Sequence, residues 1–229
     1  MKKIKTKYKL VFLLIFAISS CDGNSNFLDK NKGETIFYEI IFQNKEKKKS
    51  VYRQSYNFLS KDRDFLPVLK NNGEIIAFFQ NEGGISQITL KNNSLKFNEL
   101  KENENSKVIL AFPIEKGTKW ITNDKTTLQM KLGYDRVYNT NLPLTLENII
   151  EKTNDTISLN GRKIKNCVKI TSYGKTSFNP GPPLTSIDIE VFVVTWYSES
   201  LGIVRYKREE RSNSETMGSI FYEKSIIVD

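Results

Sequence analysis

The chain has 229 residues, with 35 Lys and Arg, 26 Asp and Glu, and no histidine. Its formal charge of +9 overstates its basicity: five lysines lie within the first nine residues, and residues 21–229 carry 30 basic against 26 acidic groups, a net of +4. That mild, mixed balance is an ordinary soluble surface rather than the concentrated footprint of a nucleic-acid binder, and the missing histidine removes the commonest general base and metal ligand.

Met1–Lys9 is basic and free of acids, and Val11–Ile18 is an unbroken apolar run. The two have the form of the n- and h-regions of an export signal. The run is too short to span a bilayer as a helix, which takes about 20 apolar residues. Ile18-Ser19-Ser20-Cys21 follows: an aliphatic residue, two small ones, then cysteine. This segment resembles the lipobox of bacterial lipoproteins. The resemblance implies cleavage between Ser20 and Cys21, a diacylglycerol on the Cys21 sulfur and an acyl group on the new amine. Two or three acyl chains on one residue meet the two-signal requirement for stable anchoring. The implied partner is therefore a membrane held through Cys21. The implied location is the bacterial cell envelope, at the outer membrane. Residues 1–20 are then a signal peptide, 21–33 the lipidated cysteine with a flexible tether, and 34–229 a single β-rich domain, long enough for one core.

From Thr35 onward the pattern is that of strands. Ile36, Tyr38, Ile40 and Phe42 alternate on one face, and Tyr52, Tyr56 and Phe58 share another, around the charged loop Asn44–Ser50. Such period-two alternation predicts half-buried strands. Ser60–Leu69 is expected to hold a short helical turn. Glu74–Phe79 and Ile85–Leu90 read as a hairpin across Gln80–Gly84. Asn92–Ser106 is polar and reads as a loop with at most one edge strand, Val108–Phe112 as a short strand, and Thr126–Leu132 as an alternating strand. Leu144–Lys152 is the best helix candidate. Asn160-Gly161 supplies positive φ for a type I′ turn between Asp155–Leu159 and Arg162–Ser172. Thr176–Ser186 holds three prolines, which cannot donate to a ladder, and is expected to be an irregular loop. Ile187–Tyr197 is apolar on both faces, which predicts a central strand covered on both sides. Gly202–Arg208 and Ser219–Val228 complete about ten strands. The expected fold is mainly β: a single antiparallel meander forming a curved sheet, half-barrel or barrel, with at most one or two short helices.

Three segments carry a second resemblance: Phe112–Trp120 with its Gly117-x-x-Trp120, Asn160–Ile170 with Lys165-Asn166-Cys167-Val168-Lys169-Ile170, and Thr195–Arg205 with Trp196-Tyr197 followed by Gly202-Ile203-Val204-Arg205. Their order is similar to that of a broad set of uncharacterised β-rich bacterial lipoproteins. This implies a curved antiparallel sheet and no particular activity.

Chemistry-bearing residues are sparse. Cys167 is left without an intramolecular partner once Cys21 is the anchor. Strand alternation places it with Lys165 and Lys169, whose charges can lower a thiol pKa, but a small hydrophobe of a central strand is the preferred reading. Asp188 with Glu190, and Glu209-Glu210 among Lys207, Arg208 and Arg211, lack a spacing that sets them apart from solvated strands. No catalytic residue, metal site or cofactor is expected, and the chain does not read as an enzyme; a cluster of buried carboxylates in a cleft would revive that third reading. Two functions are weighed ahead of it. One is a non-catalytic binding or structural module for a partner protein such as an envelope protein, an envelope component or a host surface. The other is a carrier of a lipid or other hydrophobic ligand, for which Trp120, Trp196 and Tyr197 are the candidate lining residues.

Overall fold

A computed structural model describes residues 26–44, 46–90, 106–132, 136–139, 141–179, 186–215 and 217–228. Among the described residues, fourteen strands follow a single 3₁₀ turn at Phe27–Asp29. They are β1 (Thr35–Gln43), β2 (Lys49–Phe58), β3 (Leu66–Lys70), β4 (Ile75–Asn81), β5 (Gly84–Thr89), β6 (Ser106–Ala111), β7 (Lys119–Lys125), β8 (Gln129–Leu132), β9 (Arg136–Asn139), β10 (Pro143–Leu159), β11 (Arg162–Phe178), β12 (Ile187–Ser198), β13 (Gly202–Ser212) and β14 (Ser219–Ile226). Among the described residues there is no α-helix.

Twelve strands form one antiparallel sheet in the order β6-β5-β4-β3-β2-β1-β14-β13-β12-β11-β10-β7, and β8–β9 make a separate hairpin. The order resolves into two six-stranded meanders. The first and last strands of the chain lie side by side at their junction, with Tyr38 opposite Ile226 and Ile40 opposite Lys224. The two outer edges, β6 and β7, then come together and nearly close the sheet into a barrel. No backbone ladder joins them among the described residues. The seam is made instead by side chains: Lys107 Nζ meets Asp124 Oδ2 at 2.6 Å, and Trp120 Nε1 donates to the Val108 carbonyl at 3.2 Å.

Alternation decides what fills the interior. Tyr38 and Ile40 of β1, Tyr56 and Phe58 of β2, and Ile170 and Tyr197 of β11 and β12 belong to one buried cluster near the end where the chain enters. Leu144, Leu146, Ile189, Val191 and Val193 form a second cluster toward the other end. On β4, residues of both faces are buried: Ile76 and Phe78 join the first cluster, while Ile75, Ala77 and Phe79 pack with Ile88 and Leu90 in a third.

Several expectations are corrected. The Leu144–Lys152 helix does not form: these residues lie in β10, a 17-residue strand. Leu144, Leu146, Asn148 and Ile150 face inward while Thr145 and Glu147 face out. The ladders to β7 and β11 supply partners on both sides, which a two-turn helix could not match in isolation. Ser60–Leu69 holds an isolated bridge, Asp62 to Phe65, and then β3, rather than a helical turn. Of Thr176–Ser186, residues 176–178 continue β11, and the prolines lie outside the described residues. So does most of Asn92–Ser106. The outer face of β12 is not covered: Phe192 is open to solvent, and cations shield it and Trp196 in place of a second layer. Finally, the segment expected to be a tether is partly built into the domain, because Phe27 is 2% exposed and Leu28 is buried with it. Asn26 caps their turn by accepting from the Leu28 amide at 3.0 Å, as short polar caps do.

Candidate functional site

The interior is mostly aliphatic and aromatic, with a few charged groups built into it. Lys224 of β14 points inward and is 8% exposed. Its amine donates to the Tyr56 hydroxyl at 3.2 Å and stands over the Tyr38 and Tyr56 rings at 4.8 and 5.1 Å. Burial pulls its pKa down from 10.5 to about 8, against the pull of Tyr206 and Glu74. Below pH 8 the buried amine is charged in both the folded and unfolded chain, and its desolvation cost is fully present. Between about pH 8 and 10.5 the unfolded chain binds the proton more tightly, so stability contributed by this site rises with pH. Cys167 and the buried tyrosines act in the opposite sense from about pH 9 upward, since burial holds them protonated. The difference curve isolates the lysine. The stability gap between Lys224→Met and the parent chain, read from urea midpoints, is expected to shift by about 1 kcal/mol between pH 8 and pH 9 in the parent's favour. A gap that does not move with pH would contradict a depressed Lys224.

A second buried group joins opposite walls. Glu210 of β13 is fully buried and accepts from the Thr127 amide, the Thr127 hydroxyl, the Leu128 amide and Arg208 Nε, all within 2.7–3.1 Å. Arg208 continues to Asp124 Oδ2 at 3.0 Å and to the Lys125 carbonyl at 2.7 Å. Burial alone would raise the Asp124 carboxyl, but Lys107 and Arg208 outweigh it and hold it below the usual carboxylate range. A buried and a half-buried carboxylate thus lie close together, each occupied by protein donors. The other acids singled out in the sequence lie on the outer face: Glu209 forks onto Arg211, Glu190 accepts from the Tyr173 hydroxyl, and Asp188 lies 3.7 Å from Lys175. Among the described residues no group of three His, Cys, Asp or Glu could hold a metal ion.

The residues singled out in the sequence are dispersed. Ser20 and Cys21 lie outside the described residues. Trp120 faces inward on β7 and helps line an interior gap of about 50 Å³, with Lys107, Asn148 and Thr195. Trp196 faces outward: its Nε1 donates to Asp155 Oδ2 at 2.9 Å, and Lys169 and Arg205 lie over its ring at 5.8 and 6.0 Å. It lines no interior space. Cys167 is 0% exposed and faces the core, not the side of Lys165 and Lys169. Asn166 adopts φ of 57°, and the alternation breaks there: Cys167 and Val168 are both buried, before the pattern resumes at Ile170. Burial, helped by Asp155, then pushes the thiol up to about 11, the reverse of activation.

Tyr197 is the candidate that meets the larger cavity. At the end where the chain enters, a pocket of about 420 Å³ opens between the ends of β4–β6 and those of β10–β12. Strand ends at the mouth of a barrel are a common place for small-ligand sites, and the volume falls in the usual range of about 300–1,000 Å³. Tyr197 is 2% exposed, and its hydroxyl has no hydrogen-bond partner among the described residues. Burial first, and then the Glu199 carboxylate, raise its pKa. Asn26 borders the pocket from the entering chain, whose Phe27 amide donates to the Glu199 carbonyl at 2.6 Å. The role of Asn26 was not legible in the sequence, where it sits in a run of small polar residues.

Among the described residues, fold and site define a nearly closed antiparallel β-barrel packed with side chains, with a small cavity at one mouth. No protein-family model matches the chain, and no curated protein matches it. Among solved structures it is similar to one from Parabacteroides distasonis ATCC 8503, provisionally described as a lipoprotein, at 10% identity and a TM-score of 0.38 over 88% of this chain and 97% of that one. The fold described above stands on this chain's own strand pairing.

Proposed function

We propose that the chain is a lipid-anchored protein of a bacterial cell envelope, processed between Ser20 and Cys21 and acylated on Cys21, whose barrel is a non-catalytic binding module. The observation that carries the binding reading is the filled interior. Tyr38, Phe58, Phe78, Leu146 and Ile189 occupy it, and the gap beside Trp120 measures about 50 Å³. That is room for a water or two, not for an acyl chain. A filled barrel favours recognition at its surface or mouth over transport of a lipid inside. The saturation of Glu210 and Asp124 by protein donors supports a structural rather than a catalytic role for these two acids.

The anchor reading rests on the segment that precedes the described residues. Asn26 already belongs to the barrel mouth, five residues after Cys21. Five residues reach at most roughly 17 Å when extended, so an acyl group on Cys21 would hold the mouth near the lipid headgroups of the outer membrane. Radiolabelled palmitate is expected to enter the parent chain and not Cys21→Ala; equal labelling of both would remove the anchor. Native mass spectrometry of the chain separates the two binding readings. A stoichiometric co-purified lipid would favour the carrier.

A further inference from the structure

The pocket at the barrel mouth has a definite chemical polarity. Its floor is apolar and buried, built by Ile85, Leu110 and Val168 with Tyr197, and Phe112 stands half-buried beside it. Its rim is exposed and polar: Gln80, Thr153, Asn166 and Glu199. None of the residues that line it is basic, and Glu199 carries its single formal charge. No ion pair reaches Glu199 among the described residues, although the chain carries many lysines. An unneutralised carboxylate beside amide side chains favours a cation, and an aromatic wall adds to that preference. It disfavours an anion, which would meet Glu199 with no basic partner to offset it. A lone carboxylate is too small a donor set for a metal ion.

We propose that the mouth of the barrel binds a small organic ammonium ion with an apolar body. The body lies on Ile85, Leu110 and Val168, and the ammonium sits at the rim against the Glu199 carboxylate and the Asn166 and Gln80 side chains. The site belongs to the folded barrel and does not depend on acylation at Cys21, so it stands or falls separately from the anchor.

The test is a titration, followed by NMR, of hexylammonium, hexanoate and hexanol into the full chain carrying Cys21→Ala. The three probes share one apolar body and differ only in head charge. Hexylammonium is expected to bind about tenfold or more tightly than hexanoate, the factor carried by one charge-assisted hydrogen bond. Glu199→Gln, at an exposed position that the fold tolerates, is expected to abolish that preference and leave hexanol unchanged. Equal binding of hexylammonium and hexanoate would overturn the proposal, as would a preference that survives in Glu199→Gln or no binding of any probe. The ammonium could belong to a free amine or to a lipid headgroup. Dihexanoyl phosphatidylethanolamine, added below its micellar concentration, separates them: tighter binding than hexylammonium assigns the site to a headgroup, weaker binding to a free amine, and either result supports an ammonium site.

Discussion

Glu210→Ala is expected to cost about 3–5 kcal/mol of stability, the range found when one partner of a buried ion pair is removed. Glu210 is 0% exposed, and its two oxygens take the amides of Thr127 and Leu128, the Thr127 hydroxyl and Arg208 Nε. Truncation leaves the buried Leu128 amide and the part-buried Thr127 amide without this acceptor, and a buried guanidinium with one carboxylate, Asp124, in place of two. It also releases residues 127 and 128 from β13, across the barrel from their own neighbours in the sheet. The adjacent Glu209→Ala is the control. Glu209 points outward and pairs with Arg211 on the surface, and exposed pairs contribute roughly 0–1 kcal/mol. Urea unfolding of the two variants reads the contrast. Glu210→Gln keeps an acceptor and loses the charge, so it is expected to fall between them. Similar midpoints for Glu209→Ala and Glu210→Ala would show that the inward carboxylate is not the tie between the walls.

The same pair shows where local sequence pattern stops being informative. Glu209-Glu210 reads as a charged stretch of a solvated strand, and alternation alone does put the two on opposite faces. Arg208, two residues earlier on the same face, is the one partner close in sequence; the donors that fill the rest of the carboxylate, Thr127 and Leu128, are more than eighty residues away. Features governed by local chemistry were legible. Asn160-Gly161 turns with φ of 51° and 81°, as the dipeptide demands, and the antiparallel meander follows from alternation and short turns. Features governed by competition between local and distant pairing were not. Leu144, Leu146, Ile149 and Ile150 fit a helical stripe about as well as a strand, and only the ladders to β7 and β11 decide between them. The inward turn of Cys167 depends on one residue, Asn166, entering the left-handed region. Asparagine tolerates that conformation better than most side chains, but its presence alone does not announce a bulge.

The entering segment is the other place where a polar composition concealed a structural role, and it carries the second large effect. Phe27→Ala is expected to cost about 3–5 kcal/mol, as for other large aromatics removed from a core. Phe27 meets Phe58 and Phe78 edge to face, with ring centroids 5.6 and 5.0 Å away. On its remaining side lies Gly202, where an added Cβ would stand 2.6 Å from the Phe27 ring. Gly202 has φ of +71°, so Gly202→Ala carries two penalties: backbone strain of about 1–2 kcal/mol and collision with the ring. The second exists only while the ring is there. The double variant is therefore expected to be less destabilised than the sum of the singles by about 1 kcal/mol or more, the coupling expected of side chains in direct contact. Strict additivity in urea unfolding would mean that Phe27 does not rest on the β12–β13 turn, and that the segment after Cys21 is a tether after all. Coupling would instead fix the point from which any anchor must be measured: the chain is gripped at Phe27, and the span left free to reach a membrane is only the few residues before it.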